Sequence, residues 1–506
     1  MSDLVIVALP RLDLTRPSIA PAILASIAKS QGLTVTVHDF ALDLYNLSTK
    51  EEWNEYELYW QLDLHYELED HLRLTLDKQF DDLIDRIVAD NPKKIAVSVF
   101  SHNSINATDI FLEKIRGRTD AKIIIGGQGI PSKIENFPYA DGLLKNDLID
   151  YYCAGEAETT FAMALQDQTG PGVNNWQWNQ LNNLDDAPIP DYSDYRLDEY
   201  HYLVTGKSLW INGSRGCVRR CDFCDIGKIW KKFRFRSGNS LANEIKHQID
   251  LGDTKTFQFA DALINGSMKA FNDMTRALNE YIKKGDIHRP LFGGHFIVRP
   301  SNQMKPEHYE LAGNAGLDLI SIGIETGSDE LRARMNKHFL NDDTAYHLEQ
   351  CRKNNIQNLF LMFSGHPTET LEDHKQTLEM LKRFRYYAAS GTITGLEVGS
   401  AAILEGTPLA HWAHENKVEY SVERKGDNRF WFNPANPTLT LKERIRRQLE
   451  IIETALDLGW PLQHIGTQLR YMRRLLLIEK DRDEKYLCKQ NCTTRARPDD
   501  KELSVG

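Results

Sequence analysis

Short apolar, β-branched runs alternate along this chain with longer segments whose apolar positions recur at helical spacing. Residues 4–9, "LVIVAL", predict a strand. "PSIAPAILASIAKSQG" predicts a helix ended by Gly32, and "LTVTVHD" predicts a second strand by its alternation. Residues 51–90 are acidic but carry Leu58, Leu62, Leu72, Leu76, Leu83 and Ile87 at near-helical spacing, which predicts helices with a solvated charged face. "KIAVSVF", a helix from about 105, "AKIIIGG", "IDYYCAGE" and a helix from Ala157 follow. Strands alternating with helices predict a parallel, doubly wound sheet that binds ligands at the carboxyl ends of its strands.

Residues 166–205 are polar and turn-rich, as in "DDAPIPDYSDY", and read as a linker between a first domain at 1–165 and a second at 206–415. The second series runs through "SLWINGS", "KTFQFA", "LFGGHFIV", "LDLISIGI", "NLFLMF" and "ITGLEVGS". Six β/α steps predict a partial barrel with functional loops after the strands. Residues 416–506 are mostly helical in pattern.

Length and composition fit this plan. A chain of 506 residues exceeds one ordinary core, and 41% hydrophobic with 26% charged residues describes a globular protein. No run is apolar and long enough to span a membrane, and "MSDLVIVALPRL" lacks a basic n-region, so a cytoplasmic location is expected. A net charge of −11 disfavours a general electrostatic grip on nucleic acid but leaves room for a local basic cleft. The seven cysteines, with no secretory signal, point to a reducing compartment rather than a disulfide framework.

Three of them, Cys217, Cys221 and Cys224, fall in "SRGCVRRCDFC", directly after the first barrel strand. Three thiolates on one loop can hold three irons of a 4Fe–4S cluster and leave the fourth open. A zinc site with a fourth ligand from elsewhere, or chance clustering of thiols, remains an alternative at this point. Cys488 and Cys492 form a second, poorer pair near the charged end, and chance is favoured there.

The stretch "CVRRCDFC" resembles the C-x3-C-x-aromatic-C signature of the radical S-adenosylmethionine (SAM) enzymes. In that family the open iron chelates the amino and carboxylate groups of SAM. One electron from the cluster breaks the sulfonium bond, and the resulting 5′-deoxyadenosyl radical abstracts hydrogen from an unactivated carbon. The resemblance implies cluster ligation by Cys217, Cys221 and Cys224 and places Phe223 beside the adenine. It places Glu325, in "SIGIETGSDELRARMNK", near the ribose, and Arg299, in "GGHFIVRPS", near the SAM carboxylate. It also implies a one-electron reductant such as flavodoxin or ferredoxin. Two departures stand out: "FLMFSGHPTET" carries His366 and Thr368 where many relatives have a "GLPGET"-like turn, and the second strand ends in "FADALING", with Asp261, rather than Gly-Gly-Glu.

The front segment resembles the cobalamin-binding domain found ahead of the barrel in many of these enzymes, through "VSVFSHNS", "IIIGGQG" and "YYCAGEAETTF". On that resemblance Gly126, Gly127 and Gly129 allow close backbone approach to a bulky ligand, and Ser101 faces its nucleotide tail. The loop after the first strand, "PRLDLTRPS", lacks the histidine of methionine-synthase-type domains, so cobalamin is expected without a histidine axial ligand; His102 reads as structural. The implied function is a cobalamin-dependent radical SAM methyltransferase acting on an unactivated carbon or on phosphorus. The alternatives are a cobalamin-assisted radical rearrangement or oxidation, a methylthiotransferase, and a non-catalytic cobalamin- or redox-responsive binding protein. No catalytic residue beyond the cluster is assigned, and the substrate is not readable from the sequence.

Overall fold

The computed structural model describes residues 1–10, 14–62, 68–131, 133–134, 137–201, 206–252, 254–420 and 427–494. The front domain is a five-stranded parallel sheet of β1 (Leu4–Ala8), β2 (Val35–Asp39), β3 (Lys94–Ser98), β4 (Lys122–Gly126) and β5 (Tyr151–Cys153), in the order β2-β1-β3-β4-β5. Chain direction across the sheet reverses between β1 and β3, which opens a crevice at their carboxyl ends. The acidic segment folds as the helices Lys50–Leu62 and Asp70–Asp90. The second buries Leu72, Leu76, Phe80, Leu83, Ile84 and Ile87 along one face and leaves its carboxylates to solvent, as its pattern requires. The side chain of Leu62 lies outside the described residues.

The barrel sheet holds β6 (Lys207–Ile211), β7 (Thr254–Phe259), β8 (Leu291–Phe296), β9 (Leu317–Glu325), β10 (Gln357–Ser364) and β11 (Ile393–Ser400). They are all parallel and stand in sequence order, as expected. Phe257, Phe292, Ile320, Phe360 and Leu396 alternate onto the helix-facing side and enter the main core. The opposite side mixes polar and apolar residues. Trp210 pairs in register with Gln258, His295 with Ser321, and Leu361 with Glu397. None of these six is fully buried, so their side chains do not pack the barrel interior completely.

Residues 166–201 do not run free between the two sheets. Trp176 stacks on Tyr152 at 5.0 Å, the Tyr200 hydroxyl donates to Asp39 at 2.6 Å, and the Tyr195 hydroxyl donates to the Ser18 carbonyl at 2.7 Å. Tyr192 and Tyr195 meanwhile belong to the barrel core. The β1 loop docks on the barrel as well: Arg16 donates to Ser208 at 3.2 Å and lies over the Trp210 ring at 4.6 Å. The helices Leu441–Asp457 and Ile465–Thr494 close the far side. Among the described residues no helix is long and apolar enough to cross a membrane.

The tightest link between the halves is ionic. Glu156 and Glu158, just after β5, meet Arg215, which leads into the cysteine loop, and Arg234, on the strand paired with it. Arg215 lies 2.7 Å from Glu156, whose side chain is 1% exposed. Removing one partner strands a buried charge, so Glu156→Gln is expected to destabilise the protein by about 3 kcal/mol. Asp70→Asn, which breaks a solvent-exposed pair with Arg73, should cost less than about 0.5 kcal/mol. Urea unfolding of the two variants checks the contrast; equal effects would mean that the buried pairs do not hold the halves together.

Candidate functional site

The cysteine loop leaves the carboxyl end of β6 through a turn held by Asp261. Gly213 N–H and the Ser214 hydroxyl both donate to Asp261, at 2.7 and 2.8 Å, and Asp261 is 3% exposed. The departure at the end of β7 thus secures the turn into the loop. Gly216 then takes φ +88°, and a Cβ there would lie 2.8 Å from the Lys232 carbonyl oxygen. Beyond it Cys217, Cys221 and Cys224 are each half-buried. Burial pushes the Cys221 thiol up to about 11 and moves Cys217 and Cys224 in the same direction, while the Lys337 ammonium opposes the shift in all three.

Neighbouring segments fix the loop from outside. Asp222 N–H donates to the Met335 carbonyl at 3.1 Å, and the Asp222 carbonyl accepts from Leu409 N–H at 2.9 Å. The Arg220 carbonyl accepts from Asn336 at 2.6 Å. His366 Nε2 donates to the Asp222 carboxylate at 3.1 Å, while its Nδ1 accepts from the Thr368 backbone N–H at 3.3 Å. Both departures in the turn after β10 therefore have a local use: they brace the residue that follows Cys221. The other Asp222 oxygen, Oδ1, is buried with no hydrogen-bond partner among the described residues.

Glu325 ends β9 at φ +62°, a left-handed conformation that costs a non-glycine residue of order 1 kcal/mol or more. It pairs with Lys337 at 2.6 Å. Gly323 makes room for the pair, since a Cβ there would lie 2.4 Å from the Glu325 carboxylate. Lys337, in "RMNKHF", was not singled out from sequence; Arg332 and Arg334 stand between it and the strand-end carboxylate, so no local signal marks it as the partner. Phe223 packs edge-on against Phe363 at 5.1 Å with Lys337 over its ring at 5.9 Å. The Arg299 guanidinium donates to the carbonyls of Asn265 and Gly266 at 2.8 and 2.9 Å. Among the described residues no carboxylate pairs with it, and burial holds its pKa below the usual value, with Arg219 adding repulsion. An anionic ligand group would relieve that imbalance.

Across from this loop, the crevice of the front sheet forms a cavity of about 720 Å³. Ser101, Gly126 and Gly127 line it. Ser101 Oγ accepts from Asn103 N–H at 3.2 Å. Gly127 takes φ +117°, and a Cβ there would strike the Val99 carbonyl oxygen. Gly129 is not in the lining; its missing Cβ lets the loop close on Ser101 and Val99. The other wall comes from the cysteine segment: Arg215, Asp225, Lys228, Ile229 and Trp230. Trp230 meets Trp178 edge to face at 5.5 Å, and the Arg215 and Arg234 guanidiniums lie over its ring at 5.8 and 5.6 Å. No histidine is among the lining residues, and the side chain of His102 lies outside the described residues, as do those of Cys488 and Cys492.

These features suit the implied cofactors. A cubane cluster takes one thiolate per iron, so its ligands need not converge on a point. Among the described residues no three His, Cys, Asp or Glu side chains do converge on a single-ion site. A cavity of this volume with mostly apolar strand residues and close-approach glycines suits a large, partly apolar ligand.

Residues 211–381 match the family model described as the radical SAM superfamily, so the barrel is a radical SAM domain. The whole chain shares its fold with radical S-adenosylmethionine methyltransferase TsrM from Kitasatospora setae, at a TM-score of 0.62 and 15% identity, covering 96% of this chain and 100% of that one. The cobalamin-dependent SAM radical enzyme OxsB, with aqua-cobalamin bound, gives 0.61 at 16% identity over 84% of this chain and 63% of that one. The bacteriochlorophyllide d C-12(1)-methyltransferase of Chlorobaculum tepidum is 25% identical over 245 residues, 48% of this chain and 50% of the relative. This chain thus spans about half the length of that curated relative. Its barrel is thus a radical SAM domain, and the chain as a whole has the fold of TsrM and OxsB.

Replacing Cys217, Cys221 or Cys224 by Ala is expected to abolish iron and sulfide retention after anaerobic reconstitution. Cys351→Ala should retain both, because Cys351 is buried against His347 at 3.4 Å in the barrel core. Iron held equally by all four variants would displace the cluster from this loop.

A second expectation concerns Asp261, whose burial raises its carboxyl from 3.8 to about 7. Folding then takes up a proton between those values. The stability from this group is full below the ordinary carboxylate range and is lost as pH rises through about 7. Asp261→Asn should remove that component, seen as a flatter urea midpoint between pH 5 and pH 8 than in the wild type. An unchanged slope would show Asp261 to be ionised throughout.

Proposed function

We propose that this protein uses a 4Fe–4S cluster, SAM and cobalamin to methylate an unactivated carbon or a phosphorus centre. One observation carries the reading: the front cavity and the cysteine loop share a wall, with Arg215, Asp225 and Trp230 contributing to both. In such an arrangement one-electron cleavage of SAM supplies a hydrogen-abstracting radical, and cobalamin supplies a transferable methyl group.

The chain's own residues have definable tasks. Cys217, Cys221 and Cys224 would each hold one iron and leave the fourth free for SAM. Arg299, with its unbalanced charge, would take the SAM carboxylate, and Glu325 would accept the ribose hydroxyls. Its pairing with Lys337 keeps that carboxylate oriented. Phe223 would flank the adenine against Phe363. Asp222 Oδ1, buried and unpartnered, is free to accept a donor from the same ligand. Ser101, Gly126 and Gly127 would cradle the second cofactor, with no histidine supplied from the loop after β1. Substrate would enter the barrel interior beside Gln258, His295, Ser321 and Glu397. Burial raises the Glu397 carboxyl there, and His464 lies 3.8 Å away. The titratable groups Glu397, His295 and His464 favour a substrate with hydrogen-bonding groups, in a compartment reducing enough to keep the cluster intact.

Methylation with both cofactors sets a product ratio. Each turnover is expected to yield one 5′-deoxyadenosine and one S-adenosylhomocysteine, and label from methyl-deuterated SAM should appear in the product. Liquid chromatography with mass spectrometry measures all three. 5′-Deoxyadenosine formed with product but without S-adenosylhomocysteine would point instead to rearrangement or oxidation.

A further inference from the structure

The cysteine segment is the most basic stretch of a chain that carries 61 Lys and Arg against 72 Asp and Glu. Six of its eight cations, all but Arg219 and Lys228, fall into two groups. Arg215, Arg234 and Arg236 are buried or nearly so and are ion-paired with Glu156, Glu158 and Glu244. Arg220, Lys231 and Lys232 are exposed, and among the described residues no carboxylate pairs with any of them. They form one patch: Arg220 donates to the Lys231 carbonyl at 2.9 Å, and Lys231 Nζ donates to the Gly227 carbonyl at 3.4 Å. Val218, between Cys217 and Arg219, is 42% exposed, so an apolar residue of the cysteine loop itself reaches solvent.

We propose that Val218, Arg220, Lys231 and Lys232 form the docking surface for an acidic, one-electron carrier protein. The proposal rests on the cluster assigned above and adds the site and sign of its electron supply. The argument is electrostatic and geometric. Over most of its surface a chain of net charge −11 repels an acidic partner; this patch attracts it at short range, so encounter is steered to one face. That face is the one where the cluster loop is nearest to solvent, which gives a bound carrier its shortest path. The step moves a single electron: the carrier is oxidised by one electron, the cluster is reduced by one, and no proton or group is transferred. The same surface bears too few cations for a long phosphate backbone, and the rest of the chain would oppose one.

The test compares the reconstituted wild type with Lys231→Glu/Lys232→Glu, two substitutions outside the cofactor cavities. Titration calorimetry with an acidic flavodoxin, at low salt, should show binding to the wild type weakened at least ten-fold in the variant. Stopped-flow reduction of the cluster by reduced flavodoxin should slow by a similar factor. In the wild type it should also slow as salt is raised. Reduction by dithionite, which needs no docking surface, should be equal in both proteins. Equal flavodoxin affinity and rate in the two proteins would overturn the proposal. So would charge-dependent retention of an oligonucleotide by the patch with flavodoxin transfer unaffected. A wild-type protein that accepts no electron even from dithionite would instead defeat the cluster assignment beneath it.

Discussion

Two carboxylates and two guanidiniums, removed from water between the domains, hold the rest of this molecule in place. Glu156 and Glu158 follow the last strand of the front sheet; Arg215 precedes the first cysteine and Arg234 pairs beside it. Burying four charges costs desolvation energy that their mutual attraction only roughly offsets. What the arrangement secures is register. Glu156 also accepts from Leu181 N–H at 2.7 Å, and Arg234 donates to the Leu181 carbonyl at 2.8 Å, so the connecting segment is held by the same group of residues. The carboxyl ends of the two parallel sheets are thereby held close together.

That constraint explains why the site is shared between domains. Strand carboxyl ends are where parallel sheets leave room for ligands, and here both sets of ends border one region. The front cavity takes its outer wall from the cysteine segment, while the barrel has Arg16 of the front domain at its first strand. The local strain sits at the same place: Glu325 is left-handed and Gly216 cannot bear a side chain. Neither would persist unless the surrounding contacts over-determined it.

Much of this was legible in the sequence. All five strands of the front sheet and all six of the barrel coincide with predicted strand segments: β1 is a continuous apolar run, while strands such as β2, β7 and β10 show the two-residue alternation of a half-buried strand. The cysteine spacing marked the loop, and Glu325, singled out from the family resemblance, ends β9; Arg299, expected to end its strand, lies three residues beyond β8. The contacts that create the site were not legible. Glu156 meets Arg234 across 78 residues and Asp222 meets His366 across 144, and nothing local in either segment announces its partner. Asp261 and His366 read as departures from a familiar motif; in three dimensions each braces the cysteine loop. Residues 166–205 read as a linker because their composition is that of turns, yet Trp176, Tyr192, Tyr195 and Tyr200 pack on both domains.

The central claim is that one cofactor held by the cysteine loop and another held in the front cavity face each other within a single rigid frame. Pulsed dipolar electron paramagnetic resonance on protein loaded anaerobically with cobalamin in the cob(II) state, with the cluster reduced by one electron, measures this directly. The account predicts a strong coupling between the two paramagnetic metals and a single, narrow distance distribution. A protein that retains both cofactors but shows no coupling, or a broad range of distances, would contradict it.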